Sequence, residues 1–248
     1  MSRLRNLALL PLLLAAALCA AQQGGDLQAQ ILYGFQTEDV NQLNDLIQQL
    51  RSQIKNDAAD APLHYHLAHA QYRLGELLVE QHAHDAETAF ADCVEELKAV
   101  LEQDVKSVEA LALQSACYSK LADMSKLQAV IFRSRSADRL NAAFKLAPHN
   151  PRVIFLMAKN GLAHADPASA ENERGFAQLQ LAAQLFEQAS ATNVDVPGWG
   201  DAEAYLALGR QMRLRGDLLG ARNWIEKSLI VAPDFKAAQR QLAILVKH

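Results

Sequence analysis

Residues 201–235, DAEAYLALGRQMRLRGDLLGARNWIEKSLIVAPDF, leave few folds open to this chain. Tyr205, Leu208 and Met212 recur at three and four residues, the spacing of one buried helix face. Arg215-Gly216-Asp217 interrupts that pattern. Gly216 can adopt the left-handed conformation that ends a helix, and Asp217 can cap the next one. A second apolar stripe follows through Ala221, Trp224, Ile225, Ser228 and Leu229 until Pro233 stops it. The stretch predicts two amphipathic helices joined by a tight turn.

The rest of the chain obeys the same punctuation. Beyond the first twenty residues its prolines (Pro62, Pro148, Pro151, Pro167, Pro197 and Pro233) fall only where the apolar periodicity breaks. A chain rich in Ala, Leu and Gln whose breakers sit at element boundaries reads as all-α. No alternating run of β-branched residues argues for a sheet. Half of the 248 residues are hydrophobic, enough for one large core or one continuous repeat array.

The 201–235 stretch resembles a tetratricopeptide repeat. The family pattern places an aromatic three residues before a Leu-Gly pair, then Gly-Asp, then small-x3-bulky-x2-small, then Pro near the end. Tyr205, Leu208-Gly209, Gly216-Asp217, Ala221-x3-Ile225-x2-Ser228 and Pro233 supply those places. Fainter copies precede it: Cys93-x3-Leu97-x2-Val100, Ser136-x3-Leu140-x2-Ala143 ahead of Pro148, and Ala182-x3-Phe186-x2-Ala189. Asn150-Pro151-Arg152-Val153, the Asp166-Pro167 loop and Pro197-Gly198-Trp199-Gly200 also look like a group of small exported bacterial repeat proteins. The resemblance implies an α-α superhelix of about four or five helical pairs plus capping helices. It further implies a concave groove, lined by the first helix of each pair, that receives a protein or peptide.

Taken in order, residues 22–60 predict an N-terminal helical pair or cap, in which Thr37 caps a helix carrying Val40, Leu43, Leu46, Ile47, Leu50 and Ile54. Residues 61–248 predict the repeat domain. Pro62 opens its first helix, and Cys93 and Leu97 fall on the second. Ser107 opens a third pair running through Leu111, Cys117, Tyr118, Leu121, Leu127, Val130, Ile131, Leu140 and Leu146. That pair exceeds the usual 34-residue period, so its helices are long or Arg133-Ser134-Arg135-Ser136 breaks them. A polar stretch from Asp166 to Arg174 precedes a helix after Gly175. Asp234 caps a last helix bearing Ala237, Ala238, Leu242, Ile244 and Leu245, which covers the final apolar face.

Residues 1–21 read as a signal peptide. Arg3 and Arg5 start it, and Leu7 to Ala21 is apolar but shorter than the roughly 20 residues a span requires. Small residues at Cys19-Ala20-Ala21 suit cleavage near Ala20-Ala21. An uncleaved anchor is the competing reading. Lipidation at Cys19 ranks lower, because Leu18 stands where the bacterial lipoprotein pattern has Gly, Ala or Ser. A periplasmic or secreted protein with no stable transmembrane segment is expected. Cleavage removes Arg3 and Arg5 and leaves 22 basic against 28 acidic side chains, a formal −6. That modest acidity argues against non-specific nucleic-acid binding, for which a concentrated basic face is expected. Cys93 and Cys117 can bridge in an oxidising compartment or serve as small core residues, and spacing does not decide between them.

Three features are candidate sites. Glu203, Leu206, Arg210, Arg213 and Leu214 lie on the helix side opposite Tyr205, Leu208 and Met212. In the family that side faces the groove, so the cations could pair with a peptide carboxylate, or the face could simply be solvated. The Lys and Asn pair of the family's carboxylate-clamp members is missing, which disfavours a chaperone-tail receptor. His66 and His69 lie one helical turn apart, and His82 or His84 could complete a zinc, copper or nickel site. No Cys, Asp or Glu joins them at standard spacing, so solvated histidines are the plainer expectation. Trp199, between two glycines, either anchors a ligand or packs over the junction of the fourth and fifth pairs. GxSxG, HExxH, CxxC and phosphate-cradling loops are all missing. The expectation is a non-enzymatic, cofactor-free adaptor or assembly module. The alternative is a periplasmic small-ligand or metal-binding protein associated with solute transport.

Overall fold

The computed structural model describes residues 25–83, 85–163, 165–190 and 198–246. The segment expected to be a signal peptide, His84 and residues 191–197, Pro197 included, lie outside the described residues. The described chain is all-helical: α1 (residues 25–36), α2 (Val40–Asn56), α3 (Ala61–Glu80), α4 (Ala86–Gln103), α5 (Val108–Met124), α6 (Ala129–Leu146), α7 (Pro151–Ala163), α8 (Ala170–Ser190), α9 (Asp201–Leu214), α10 (Leu218–Val231) and α11 (Lys236–Val246). Antiparallel hairpins α3/α4, α5/α6, α7/α8 and α9/α10 stack in sequence, with α2 on α3 and α11 on α10. None of the described helices is long and apolar enough to cross a membrane.

The hairpin ends follow from local chemistry. Gly216 has φ +82°, a conformation costly for side-chain-bearing residues, and so lets α9 turn back at once. The Asp217 carboxylate then accepts from the Gly220 N–H at 2.8 Å, relieving one of the unpaired donors at the start of α10. Asp60 does the same for Leu63 N–H at 2.9 Å, with Pro62 in the first turn of α3. Asn150 Oδ1 accepts from Arg152 and Val153 N–H ahead of α7.

Several expectations need correction. Asp39, not Thr37, caps α2, accepting from Gln42 N–H, while the Thr37 hydroxyl bonds back to Tyr33 carbonyl. Gly175 lies inside α8, which begins five residues earlier at Ala170; Ser169 Oγ accepts from Asn172 N–H there. Phe235, not Asp234, sits at the entry of α11, its carbonyl accepting from Ala238 and Gln239 N–H. Of that helix's expected inner residues, Ile244 is exposed. The α5/α6 hairpin, the third pair expected from sequence, is long and unbroken, for α6 runs through Arg133–Ser136. Ser136 Oγ donates to the Ser115 carbonyl at 2.9 Å, a bond that holds α6 close to α5. Leu127, Val130 and Ile131 do not join its core; they are exposed at the start of α6. Tyr33 is likewise exposed, whereas Tyr72 and Tyr118 are buried. Cys93 and Cys117, both fully buried, form a disulfide that ties α4 to α5.

The ends of the array meet. Phe35 at the end of α1 packs on Phe235 with ring centroids 5.8 Å apart. Arg240 of α11 reaches Glu38 at 2.5 Å and Glu80 at 4.0 Å. That guanidinium is half exposed, and exposed ion pairs contribute roughly 0–1 kcal/mol. The aromatic contact, with its larger apolar burial, therefore carries most of the closure.

Candidate functional site

The concave side of the array is where α3, α7 and α9 converge, and its floor is built from charged residues. Arg73 of α3 is only 2 % exposed, and each of its three nitrogens is used. Nε donates to His69 Nε2 at 3.0 Å, one Nη to Glu76 at 2.8 Å, and the other Nη to Glu203 of α9. The guanidinium plane also faces the Phe35 ring at 4.3 Å and Trp199 at 5.5 Å. One side chain thus joins α1, α3 and the start of α9. Burial alone would loosen the Arg73 proton, but the Glu203 and Glu76 carboxylates outweigh it and hold the pKa above its usual value. Burial would equally push the Glu76 carboxyl up. Lys159, Arg73 and Lys120 reverse that and hold it well below the usual carboxylate range.

Trp199 is a second keystone. It is 2 % exposed, and its indole N–H donates to Tyr65 Oη at 2.9 Å across 134 residues of sequence. Its carbonyl accepts from Arg152, whose Nε and Nη2 grip Glu109 of α5 at 2.6 and 2.9 Å. Gly200 follows with φ +103° and the Phe186 ring 2.9 Å from where a Cβ would stand, so a larger residue is excluded twice over. Its N–H donates to Glu203 at 3.2 Å. The expectation that Trp199 bridges the fourth and fifth pairs is therefore too narrow, because its indole reaches back to α3.

Between these elements lies a cleft of about 160 Å³ walled by Phe35, Tyr72, Glu76, Phe155, Lys159, Glu203, Leu206 and Arg210. At roughly 30 Å³ per water it admits a side chain or a chain terminus, not a folded element. A shallower cavity of about 270 Å³ shares Lys159, Ala207 and Arg210 and extends the groove between α7 and α9 toward Leu162 and Leu179. Of the five groove residues expected from sequence, Glu203, Leu206 and Arg210 line the cleft. Glu203 is already consumed by Arg73, and Leu206 is buried against the cluster that includes Phe235 and Ala237. Arg210 is exposed and makes no hydrogen bond or ion pair with the described residues. Arg213 and Leu214 sit on the last turn of α9, beyond the residues that line either cavity; Leu214 is 69 % exposed.

The histidines do not assemble as a metal site would require. His69 is fully buried with both ring nitrogens engaged. Arginine only donates, so Nε2 accepts, and the neutral ring carries its proton on Nδ1. Gln28 stands 3.3 Å from Nδ1, and its Oε1 is otherwise buried without a partner. Its amide is therefore assigned with oxygen toward His69. His66 is partly buried, His82 is exposed in the turn after α3, and His64 binds Glu96. Among the described residues no group of three His, Cys, Asp or Glu could hold a metal ion.

This arrangement sets a pH dependence. Burial first, then Arg73, drives the His69 pKa well below 6.5, and burial lowers His66 as well. The unfolded chain takes up these protons first, so stability is lost as pH falls below 6.5, by up to about 1.4 kcal/mol per pH unit for each ring. Glu76 acts in a separate window, its contribution being lost only below about 4.5. Urea midpoints should therefore fall between pH 7 and pH 5, and a His69→Gln variant should show a shallower slope. An unchanged slope would contradict the assignment of a neutral, buried ring.

Arg73, Glu76, Glu109 and Arg152 escape a reading of the sequence alone. Arg73 and Glu76 are visible there as an i,i+3 pair, and Arg152 stands in the Asn-Pro-Arg-Val motif. Their partners on α9 and α5 have no local signature. No protein-family model and no curated protein matches the chain. Among solved structures it resembles TTC0263, a thermophilic TPR protein in Thermus thermophilus, at 16 % identity and a TM-score of 0.59, covering 90 % of this chain and all of that one. Weaker likenesses are to YrrB, a TPR protein with an unusual peptide-binding site (13 % identity, TM-score 0.36, 82 % and 84 % of the two chains), and MamA (16 %, 0.34, 84 % and 93 %). The likeness to TTC0263 shows the fold: this is a tetratricopeptide-repeat-like α-superhelix.

Proposed function

We propose that the chain is a non-enzymatic binding module for a protein or peptide partner, exported to the periplasm and acting there as an adaptor or assembly factor. The repeat fold, the groove between α7 and α9 and the signal-like N-terminus support this reading. One observation carries it: Arg210, drawn partly out of water by its surroundings, lines the groove and, though Glu80 of the same cleft attracts it, makes no ion pair or hydrogen bond among the described residues. A partly desolvated guanidinium gains about 1.5–3 kcal/mol from a charged hydrogen-bond partner. A peptide carboxylate supplies one, with Lys159 on the facing helix.

The test is affinity capture from periplasmic extract, followed by titration of the captured partner's segment against wild type and Arg210→Glu. Capture of a reproducible partner is expected, with at least about a tenfold loss of affinity in the variant. Arg210 is exposed, so the variant keeps its fold. An empty capture, or equal binding by both proteins, would sink the proposal.

A further inference from the structure

We infer that the exposed face of α6 docks on an anionic membrane surface. Leu127 projects from the α5–α6 turn with 96 % of its surface exposed, and Val130 and Ile131 follow at 79 % and 52 %. Large aliphatic side chains at such exposure on adjacent turns mark a contact surface rather than a core. Ile131, Arg135 and Arg139 recur every four residues of α6, so they form one slanting row about 12 Å long at 1.5 Å per residue, and Leu127 on the preceding turn stands at its apolar end. The row passes from apolar to basic. It ends in a cleft of about 440 Å³ between α4 and α6, lined by Lys98, Tyr118, Arg135, Asp138 and Arg139.

The charges there favour an anion. Three cations face one carboxylate, Asp138, and Lys98 also pairs with exposed Glu95 at 2.6 Å. Arg135 lies over the Tyr118 ring at 5.7 Å, and Arg139 makes no ion pair or hydrogen bond among the described residues. Lys126 and Arg133 flank the apolar tip. This order, aliphatic at the protruding end and basic behind it, matches the depth profile of a membrane interface, with acyl boundary below and phosphates above. The whole chain carries net charge −4, so an anionic surface repels it in most orientations. The basic row on α6, with Lys98 of α4 beside it, therefore turns this face toward the lipid.

Co-sedimentation tests this with vesicles of equimolar phosphatidylcholine and phosphatidylglycerol against vesicles of phosphatidylcholine alone. Binding to the mixed vesicles only, weakened by salt, is expected. Each cation near an anionic leaflet is worth about fivefold in partitioning, so Arg135→Gln/Arg139→Gln should lower it roughly 25-fold. Leu127→Asp/Ile131→Asp should lower it at least about tenfold while leaving the melting temperature unchanged, because both side chains are exposed. Absence of binding to either vesicle overturns the inference. So does an aspartate variant that binds as tightly as wild type while inorganic phosphate displaces the protein, which would mark a site for a soluble anion. Self-association by light scattering, lost in the aspartate variant and without vesicle binding, would assign the face to a second copy instead.

Discussion

Arg73→Leu is expected to destabilise the fold by about 3–5 kcal/mol, the usual cost of leaving a buried charge without its partner. The substitution strands the Glu203 carboxylate at the start of α9 and deprives Glu76 of its 2.8 Å donor. It also takes from His69 Nε2 the hydrogen bond that Arg73 donates. The companion variant Arg73→Leu/Glu203→Leu removes both halves of the long-range pair. Replacing a buried ion pair by apolar groups is often neutral, so the double variant should recover much of the loss. Glu76 keeps Lys159 at 3.5 Å and Lys120 at 3.8 Å in either case. Urea unfolding of the three proteins measures both effects. A loss below about 1 kcal/mol in the single variant would mean that Arg73 is not a keystone.

Removing the Cys93–Cys117 bridge is the second large effect. The two residues are 24 positions apart, and a loop of that length gives about 3 kcal/mol by the chain-entropy argument. Cys93→Ala/Cys117→Ala should lower the denaturation midpoint accordingly. The wild-type midpoint should fall to a similar level under reductant, while the double variant should ignore reductant altogether. Two free thiols in the untreated, unfolded protein would refute the bridge outright. A disulfide sealed between α4 and α5 suits an oxidising compartment, the one an exported chain would reach.

Local chemistry is legible in the sequence and long-range chemistry is not. Gly216-Asp217, Asp60-Ala61-Pro62 and Asn150-Pro151 mark helix ends because the physics of a cap lies within four residues. The repeat architecture follows from them together with the apolar periodicity. Leu127, Val130 and Ile131 stay out of the core that their stripe predicts, because an apolar stripe says that a helix is two-sided, not which neighbour covers the stripe. Ala129 begins the helix a short turn after α5 has ended, and of that first turn only the side with Ala129 and Phe132 is partly covered, which leaves Val130 and Ile131 outside. The groove behaves similarly. Spacing alone places Arg210 on the inner face of α9, but Glu203 and Leu206 are already engaged by Arg73 and by the Phe235 cluster. Those partners lie on helices that come together only through the curvature of the whole array. The cysteine pair depends on how α4 settles against α5, since two buried thiols on stripes of successive helices look alike whether or not they face each other.

The contact of Phe35 with Phe235 bears on how the molecule comes apart. In an open array each repeat leans only on its neighbours, so terminal units fray first and stability accumulates along the row. Here the first and last elements share a seam, and Arg73 and Trp199 stitch α3 to α9 behind it. With the two ends of the described array in contact, unzipping from either side meets a contact between residues two hundred positions apart. The chain therefore behaves less like a spring of separable coils than like a hoop, which stays whole until it is cut.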